Sequence, residues 1–223
     1  MGMFHVASYS GGKDSTAMLI VCKKQGINFD DIVYVDVGDW MWDFVKDHIK
    51  KMEDFLNQDI TVIDVSDEIK DGFERWGFPS FRIRWCTGIK REHIKEYIST
   101  NYGIDNTIQY IGYTYGEEKR INKNKGKGLF YYPLMKHKID NDTALKICYD
   151  NGFDFNGLYE HHSHLNCWCC PLQRVDELRY IYNNCPDKWE ILKKMQDKVD
   201  GYFSNNKTIY EFDKRFKSEL DVK

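Results

Sequence analysis

The run Ser10-Gly11-Gly12-Lys13-Asp14-Ser15 constrains this chain more than any other stretch. Ahead of it, Phe4-His5-Val6-Ala7-Ser8 is short and mostly apolar, the pattern of a buried strand. Behind it, Ala17-Met18-Leu19-Ile20-Val21-Cys22 is apolar and holds neither Gly nor Pro, which predicts a helix packed on a sheet. The join is therefore strand, glycine turn, helix. Gly11 and Gly12 let the backbone take left-handed angles and come close to a ligand. The first N–H groups of the following helix have no partner within it, and the helix dipole adds partial positive charge there. With the hydroxyls of Ser10, Ser15 and Thr16, this makes an anion site suited to phosphate. The plainer alternative is a turn in which Asp14 or Ser15 caps the helix. So many specified residues in the first strand-to-helix turn favour phosphate.

The rest of the chain repeats the same alternation. Asp31 to Gly38 reads as a second buried strand with Asp36 at its carboxyl end, where open α/β sheets bind ligands. A carboxylate there can accept from a ribose hydroxyl or a base amine; a helix N-cap is the alternative role, which Asp39 would fill equally well. Trp42 to Leu56 has helical apolar spacing, and Asp59 to Val65 reads as a third strand. Such an order requires right-handed crossovers and a parallel sheet. Ser66 to Arg84 is broken up by Gly72, Gly77 and Pro79, and the helical pattern resumes from Thr87 to Ile98. Thr107 to Gly112 is the fourth strand. Lys119 to Lys127 is basic, contains glycine and lacks hydrophobic anchors, which predicts a mobile loop able to touch a polyanion. Asp140 is an N-cap for a helix to Asp150, closed by Gly152, and further helices fall near Val175–Asn184 and Pro186–Asp200 before a charged tail from Thr208, either a last helix or loose. The expected fold is α/β, a doubly wound parallel sheet. Residues 1–135 form its nucleotide-binding domain, and residues 136–223 form a small helical, cysteine-bearing addition packed on the same domain.

A chain of 223 residues can bury one proper core, and a net charge of -3 leaves no global basic field to hold nucleic acid non-specifically. The N-terminus has no basic-then-apolar signal pattern and no apolar run reaches membrane-span length, so the expected location is cytoplasmic, away from membrane. Seven cysteines is an odd number, and Cys86, Cys167, Cys169 and Cys170 stand out. In a reducing compartment they point to metal or redox chemistry before structural disulfides. Cys167 and Cys170 form a C-x-x-C knuckle, with His161, His162 and His164 nearby as further candidate ligands. Cys22 and Cys148 sit in helical apolar patterns and read as core.

The glycine turn lacks the Gly-Lys-Ser/Thr ending of kinase-type P-loops. It resembles the PP-loop, Ser-Gly-Gly-x-Asp-Ser, of the ATP pyrophosphatases with the adenine nucleotide α-hydrolase-like fold. The resemblance implies that Ser8, Ser10, Gly11, Gly12, Lys13, Asp14 and Ser15 hold the phosphates of ATP with Mg2+, that Asp36 contacts the nucleotide, and that the α–β bond breaks. Arg84, Cys86, Thr87 and Lys90 resemble a segment of the phosphoadenylyl-sulfate (PAPS) reductases. Gly112, Glu117 and Arg120 fall on that family's Gly-Ile-Arg-x-x-Glu-x-x-Arg pattern, with Thr114 in place of its first arginine. On this resemblance Lys13, Asp14, Arg84, Lys90 and Arg120 are the catalytic candidates, and Gly112 and Glu117 join the nucleotide site. It spans about Phe4 to Leu172.

Relatives in this superfamily hold a 4Fe–4S cluster with comparable cysteines. By position, Cys86, Cys167 and Cys170 would be ligands here, with Cys169 the candidate fourth; ligation by three thiolates leaves one iron open to sulfide. Zn2+ in a structural knuckle is the alternative. The implied function is an ATP-dependent sulfurtransferase that adenylates an acceptor, a small molecule or nucleic acid, and is compatible with a sulfur-donor protein and with oligomerisation. Reduction of PAPS or adenylyl sulfate is the second reading, disfavoured by the intact loop and by the lack of any cysteine after Cys185. A non-catalytic nucleotide-binding, metal-bearing subunit is the third.

Overall fold

The computed structural model describes residues 2–221. Five strands form one sheet: β1 (Phe4–Tyr9), β2 (Asp31–Asp36), β3 (Thr61–Asp64), β4 (Thr107–Tyr110) and β5 (Leu129–Tyr131), in the order β3-β2-β1-β4-β5. All four pairings are parallel, with Ala7 opposite Ile32, Phe4 opposite Thr107, Asp36 opposite Asp64 and Tyr110 opposite Tyr131. The order reverses at β1. A crevice therefore opens between the carboxyl ends of β1 and β4, the place where such sheets take ligands.

The chain divides into two compact units. The first contains the chain up to Asp36, Asp43–Asp64 and Lys90–Leu158, and so holds the whole sheet. Its helices are α1 (Lys13–Lys24), α2 (Val45–Leu56), most of α4 (Trp85–Asn101), α5 (Glu118–Asn124), α6 (Pro133–Lys136) and α7 (Asn141–Asp150). Alternate residues of β1 serve opposite faces. Val6 packs with Val33 and Ile98 of α4, whereas Tyr9 meets Thr16 of α1 and His48 of α2. The central strands are buried on both sides, which is why β2 reads as a continuous apolar run rather than an alternating one.

The second unit contains Val37–Trp42, Val65–Ile89 and the chain from Tyr159. It comprises α3 (Ser66–Trp76), the first turn of α4, α8 (Val175–Asn184), α9 (Pro186–Gln196) and α10 (Ile209–Asp221). Its core gathers Phe73, Trp168, Leu178, Ile181, Trp189, Phe212 and Phe216. Among the described residues, no helix is long and apolar enough to cross a membrane.

Three local expectations are corrected. Ser66–Trp76 is an unbroken helix, because Gly72 is there to admit the Trp85 ring, whose Cζ3 would lie 2.7 Å from an added Cβ. The Lys119–Lys127 stretch is not all loop: Glu118–Asn124 is helical. β5 supplies a fifth strand that the pattern did not announce. Of the two readings of the tail, the helix is the one formed: Ile209–Asp221 is α10, and it contributes Phe212 and Phe216 to the core.

Candidate nucleotide site and cysteine cluster

The loop between β1 and α1 is built as the sequence requires. Gly11 takes φ +75°, a left-handed angle, and Gly12 is the N-cap of α1 with extended backbone. No side chain caps α1, so the simple capping role for Asp14 or Ser15 is not the one adopted. Ser15 instead ties the loop together. Its hydroxyl donates to the Gly12 carbonyl at 3.0 Å and accepts from the Ser10 N–H at 3.2 Å, with Ser10 Oγ 3.0 Å away. A preset turn thus presents the amino end of a 12-residue helix at the sheet edge.

Lys13 is nearly buried, unusual for a lysine. Its ammonium donates to Asp14 Oδ1 at 2.5 Å and to Asn141 Oδ1 at 2.7 Å. Asn141 opens α7, where Asp140 accepts from the Thr143 N–H at 2.8 Å, the cap expected from sequence. The Cys148 thiol donates to the Lys13 carbonyl at 3.2 Å, and burial pushes that thiol up to about 12. α7 therefore braces the phosphate loop, a role that neither Asn141 nor Cys148 announced. Beneath the loop, Thr16 Oγ1 lies 3.3 Å from Tyr9 Oη and 3.1 Å from His48 Nε2. Burial, helped by Lys51 and opposed by Asp154, lowers His48 to about 4, so the imidazole is neutral at pH 7. Asp36 closes β2 at the same edge, half-buried.

In the second unit the chain brings Cys86 to the knuckle. The Cys170 thiol is pushed up to about 12, first by burial and also by Cys167 and Cys86, against a lowering pull from Arg84. Cys169 is raised well above the usual thiol value by burial, with Cys167, Cys170 and Cys86 adding to it. The knuckle turns tightly, with Cys170 N–H on the Cys167 carbonyl at 3.0 Å. Trp168 anchors it through Nε1 to the Asp39 carbonyl at 2.7 Å. Cys169 points into the aromatic core, whereas Cys86, Cys167 and Cys170 stay partly exposed. Three thiols of this kind suit a soft metal or an iron–sulfur cluster. As arranged, no three His, Cys, Asp or Glu side chains among the described residues close on a single metal position. His161 stacks on Tyr180 at 4.2 Å, and His162 packs edge-on against Trp42 and Tyr180. Arg84 is exposed, its carbonyl accepting from Thr87 and Gly88 at the start of α4, and Lys90 is half-buried on the same helix.

The sequence profile of the phosphoadenosine phosphosulfate reductase domain matches residues 5–173. The chain belongs to that family. An uncharacterized protein of Methanocaldococcus jannaschii, MJ0066, is 25% identical over 204 residues. That alignment takes 83% of this chain, which spans only 40% of the relative's length. Two of the similar solved structures are as follows. The NH3-dependent NAD synthetase of Campylobacter jejuni superposes with a TM-score of 0.49 at 11% identity, over 99% of this chain and 86% of that one. The U34-tRNA thiolase NcsA of Methanococcus maripaludis, solved with its [4Fe-4S] cluster, gives 0.48 at 16% identity, over 93% and 80%.

The turn after β4 packs against the loop and is held by its own side chains. Gly112 fits against the loop so closely that a Cβ would lie 2.7 Å from the Asp14 carbonyl oxygen. Thr114, in the place of the family's first arginine, is fully buried, and its N–H and hydroxyl bond Glu117 at 2.9 and 3.2 Å. Burial would raise the Glu117 carboxyl, but the bonds from Arg120 and Thr114 outweigh it and hold it below its usual range. Arg120 pairs with Glu117 at 2.5 Å and lies 4.0 Å over the Tyr113 ring. In this structure Glu117 and Arg120 hold one another and the turn.

Proposed function

We propose that this chain uses ATP to adenylate an acceptor, for the purpose of sulfur transfer. The observation that carries the reading is the uncapped start of α1, with Gly11 and Gly12 in the turn and the Lys13 ammonium buried beside it. Positive charge fixed in a preset turn suits a polyphosphate and needs no rearrangement as charge develops. An acceptor oxygen attacks the α-phosphorus, an oxygen–phosphorus bond forms, and the α–β bond breaks with its electron pair leaving on pyrophosphate. Lys13 and the N–H groups of α1 would offset that departing charge, and Asp14 would be the candidate to help hold Mg2+, which neutralises the triphosphate when bound. A sulfur nucleophile then attacks the activated carbon and AMP leaves with the oxygen.

Cys86, Cys167 and Cys170 are the residues that would hold a 4Fe–4S cluster or, in the structural alternative, Zn2+; a cluster ligated by three thiolates supplies an iron able to bind sulfur. The reading is supported by the proximity of Cys86 to a knuckle about eighty residues away in sequence and by the core position of Cys169. Lys90 and Arg84 remain the cationic candidates for the developing negative charge.

Titration calorimetry with ATP and Mg2+ tests the assignment. Wild type is expected to bind, Gly12→Val is expected to lose binding while keeping its thermal transition, and full affinity in that variant would overturn it. Release of sulfite from phosphoadenosine phosphosulfate with a reductant would point instead to the reductase chemistry for which the family is named.

A further inference from the structure

A cavity of about 540 Å³ lies on the α4 face of the sheet, within the first unit. It runs from Ile111 and Tyr113, at the carboxyl end of β4, back to Thr107 at the start of that strand. The Ser10–Ser15 loop lies at the carboxyl end of β1. This cavity extends away from that end, and of the candidate nucleotide residues it touches only Ser8.

Its lining has three chemistries. The walls are apolar, with Ile94, Ile98 and Ile104 on one side and Phe130 on another. Tyr113 is fixed in the wall by stacking on Tyr132, with centroids 5.5 Å apart and planes 9° from parallel. The floor is polar at one point. Gln109 projects from the middle of β4 toward α4, between Thr107 and Ile111, where a packed sheet would ordinarily present a branched aliphatic side chain. One of its amide N–H bonds goes to Ser8 Oγ at 2.6 Å. The carboxamide has a second donor and an acceptor oxygen, a donor–acceptor edge of the kind that pairs with a heterocyclic base. The rim is cationic, with Arg91 and Lys95 one helical turn apart on α4 and Lys127 across the opening. Glu92 is the single carboxylate among the lining residues. The basic run continues from Lys127 back through Lys125, Lys123 and Lys119.

We propose that this cavity binds a nucleotide unit, a heterocyclic base with its phosphate, and that this unit carries the acceptor of the transfer. Apolar walls take the faces of the base, Gln109 meets its donor–acceptor edge, and Arg91, Lys95 and Lys127 meet the phosphate. The volume falls in the range of small-molecule sites. The free nucleotide and a nucleotide within a strand share this chemistry. The run of lysines beyond the rim favours the strand, since it offers cations for neighbouring phosphates. The role as acceptor rests on the adenylation reading; the binding does not.

The test uses the full chain and two probes, uridine 5′-monophosphate and a uridine hexanucleotide, titrated with the phosphate loop saturated by α,β-methylene-ATP. Pyrimidine probes avoid competition for an adenine site. The hexanucleotide is expected to bind wild type, to bind Gln109→Leu at least tenfold more weakly, and to lose a similar factor with Arg91→Glu/Lys95→Glu. The double variant changes exposed positions and should also flatten the salt dependence. Gly12→Val is expected to lose the ATP analogue and retain the uridine probe. Equal binding of both probes identifies a free nucleotide, and binding of the hexanucleotide alone identifies a strand. Failure of both probes on wild type, wild-type affinity in both cavity variants, or loss of uridine binding in Gly12→Val would overturn the proposal. Failure of the ATP analogue with uridine binding intact would overturn the adenylation reading and leave the cavity assignment standing.

Discussion

Gly112 and Asp14 meet backbone to backbone. A Cβ built on Gly112 would lie 2.7 Å from the Asp14 carbonyl oxygen and 2.9 Å from the Ser15 Cα. Both atoms belong to the first turn of α1, so neither can swing aside as a side-chain tip would. Gly112→Ala is therefore expected to part β4 from the loop, at a cost on the order of 1–3 kcal/mol. Its ATP affinity should fall about tenfold, the equivalent of ~1.4 kcal/mol. Calorimetry and a thermal melt on the same variant read both. Unchanged affinity would mean that the close fit has no bearing on the nucleotide.

Asn141 supplies the second hydrogen bond to the Lys13 ammonium, at 2.7 Å. A hydrogen bond to a charged group contributes about 1.5–3 kcal/mol. Asn141→Leu keeps the side-chain volume and removes the acceptor, so ATP should bind roughly three- to tenfold more weakly, with Lys13→Met weaker still. Equal ATP affinity in wild type and Asn141→Leu would show that Asn141 does not position the lysine for the nucleotide.

His48 gives a pH test of the fold. Its pKa is lowered from 6.5 to about 4, by burial first. Below pH 6.5 the unfolded chain takes up a proton that the native chain refuses. The stability this neutral imidazole confers is complete above about pH 6.5 and is lost as pH falls toward 4, up to roughly 3 kcal/mol at 1.36 kcal/mol per unit. Urea denaturation at pH 7 and pH 4.5 is expected to show a smaller loss in His48→Gln than in wild type. A parallel loss in the two proteins would count against it.

The cysteines separate by burial. Cys169 belongs to the core, and Cys86, Cys167 and Cys170 are partly exposed. After anaerobic reconstitution with iron and sulfide, Cys86→Ala, Cys167→Ala and Cys170→Ala are each expected to lose the visible absorption of a cluster. Cys169→Ala should retain it and lower the thermal midpoint, as removal of a buried group does, by an amount on the order of 1 kcal/mol. A colourless Cys169→Ala would make it the fourth ligand. Stoichiometric zinc with no iron in anaerobically purified wild type would favour the structural knuckle.

The elements that were legible were those whose local pattern and tertiary setting agree. β1, the glycine turn and α1 announce themselves because two apolar runs flank residues with one backbone solution. Asp140 was legible as a cap because capping is decided within four residues. α5 was not, since Glu118–Asn124 holds one aliphatic residue, Ile121, and no stripe. β5 escaped because three residues between Gly128 and Pro133 are too short for a period. Gly72 looked like a breaker because its reason, the ring of Trp85, comes thirteen residues later. Within the site, the types of Lys13 and Cys86 could be read from sequence. The partners of Lys13 on α7, the His48–Thr16 bond and the polar floor at Gln109 depend on which elements meet, and no local pattern encodes that.

The pairing of Phe4 with Thr107 has a consequence in time. β1, β2 and β3 lie within the first 64 residues and can associate as soon as they exist, but the second wall of the phosphate loop lies after β4. About a hundred residues of loop must close before Gly112 reaches Asp14, and closures of that span come late. The Ser10–Ser15 residues are thus made before the strand that brings Gly112 against them. A chain emerging from synthesis carries the whole Ser10–Ser15 motif well before β4 exists to complete its packing.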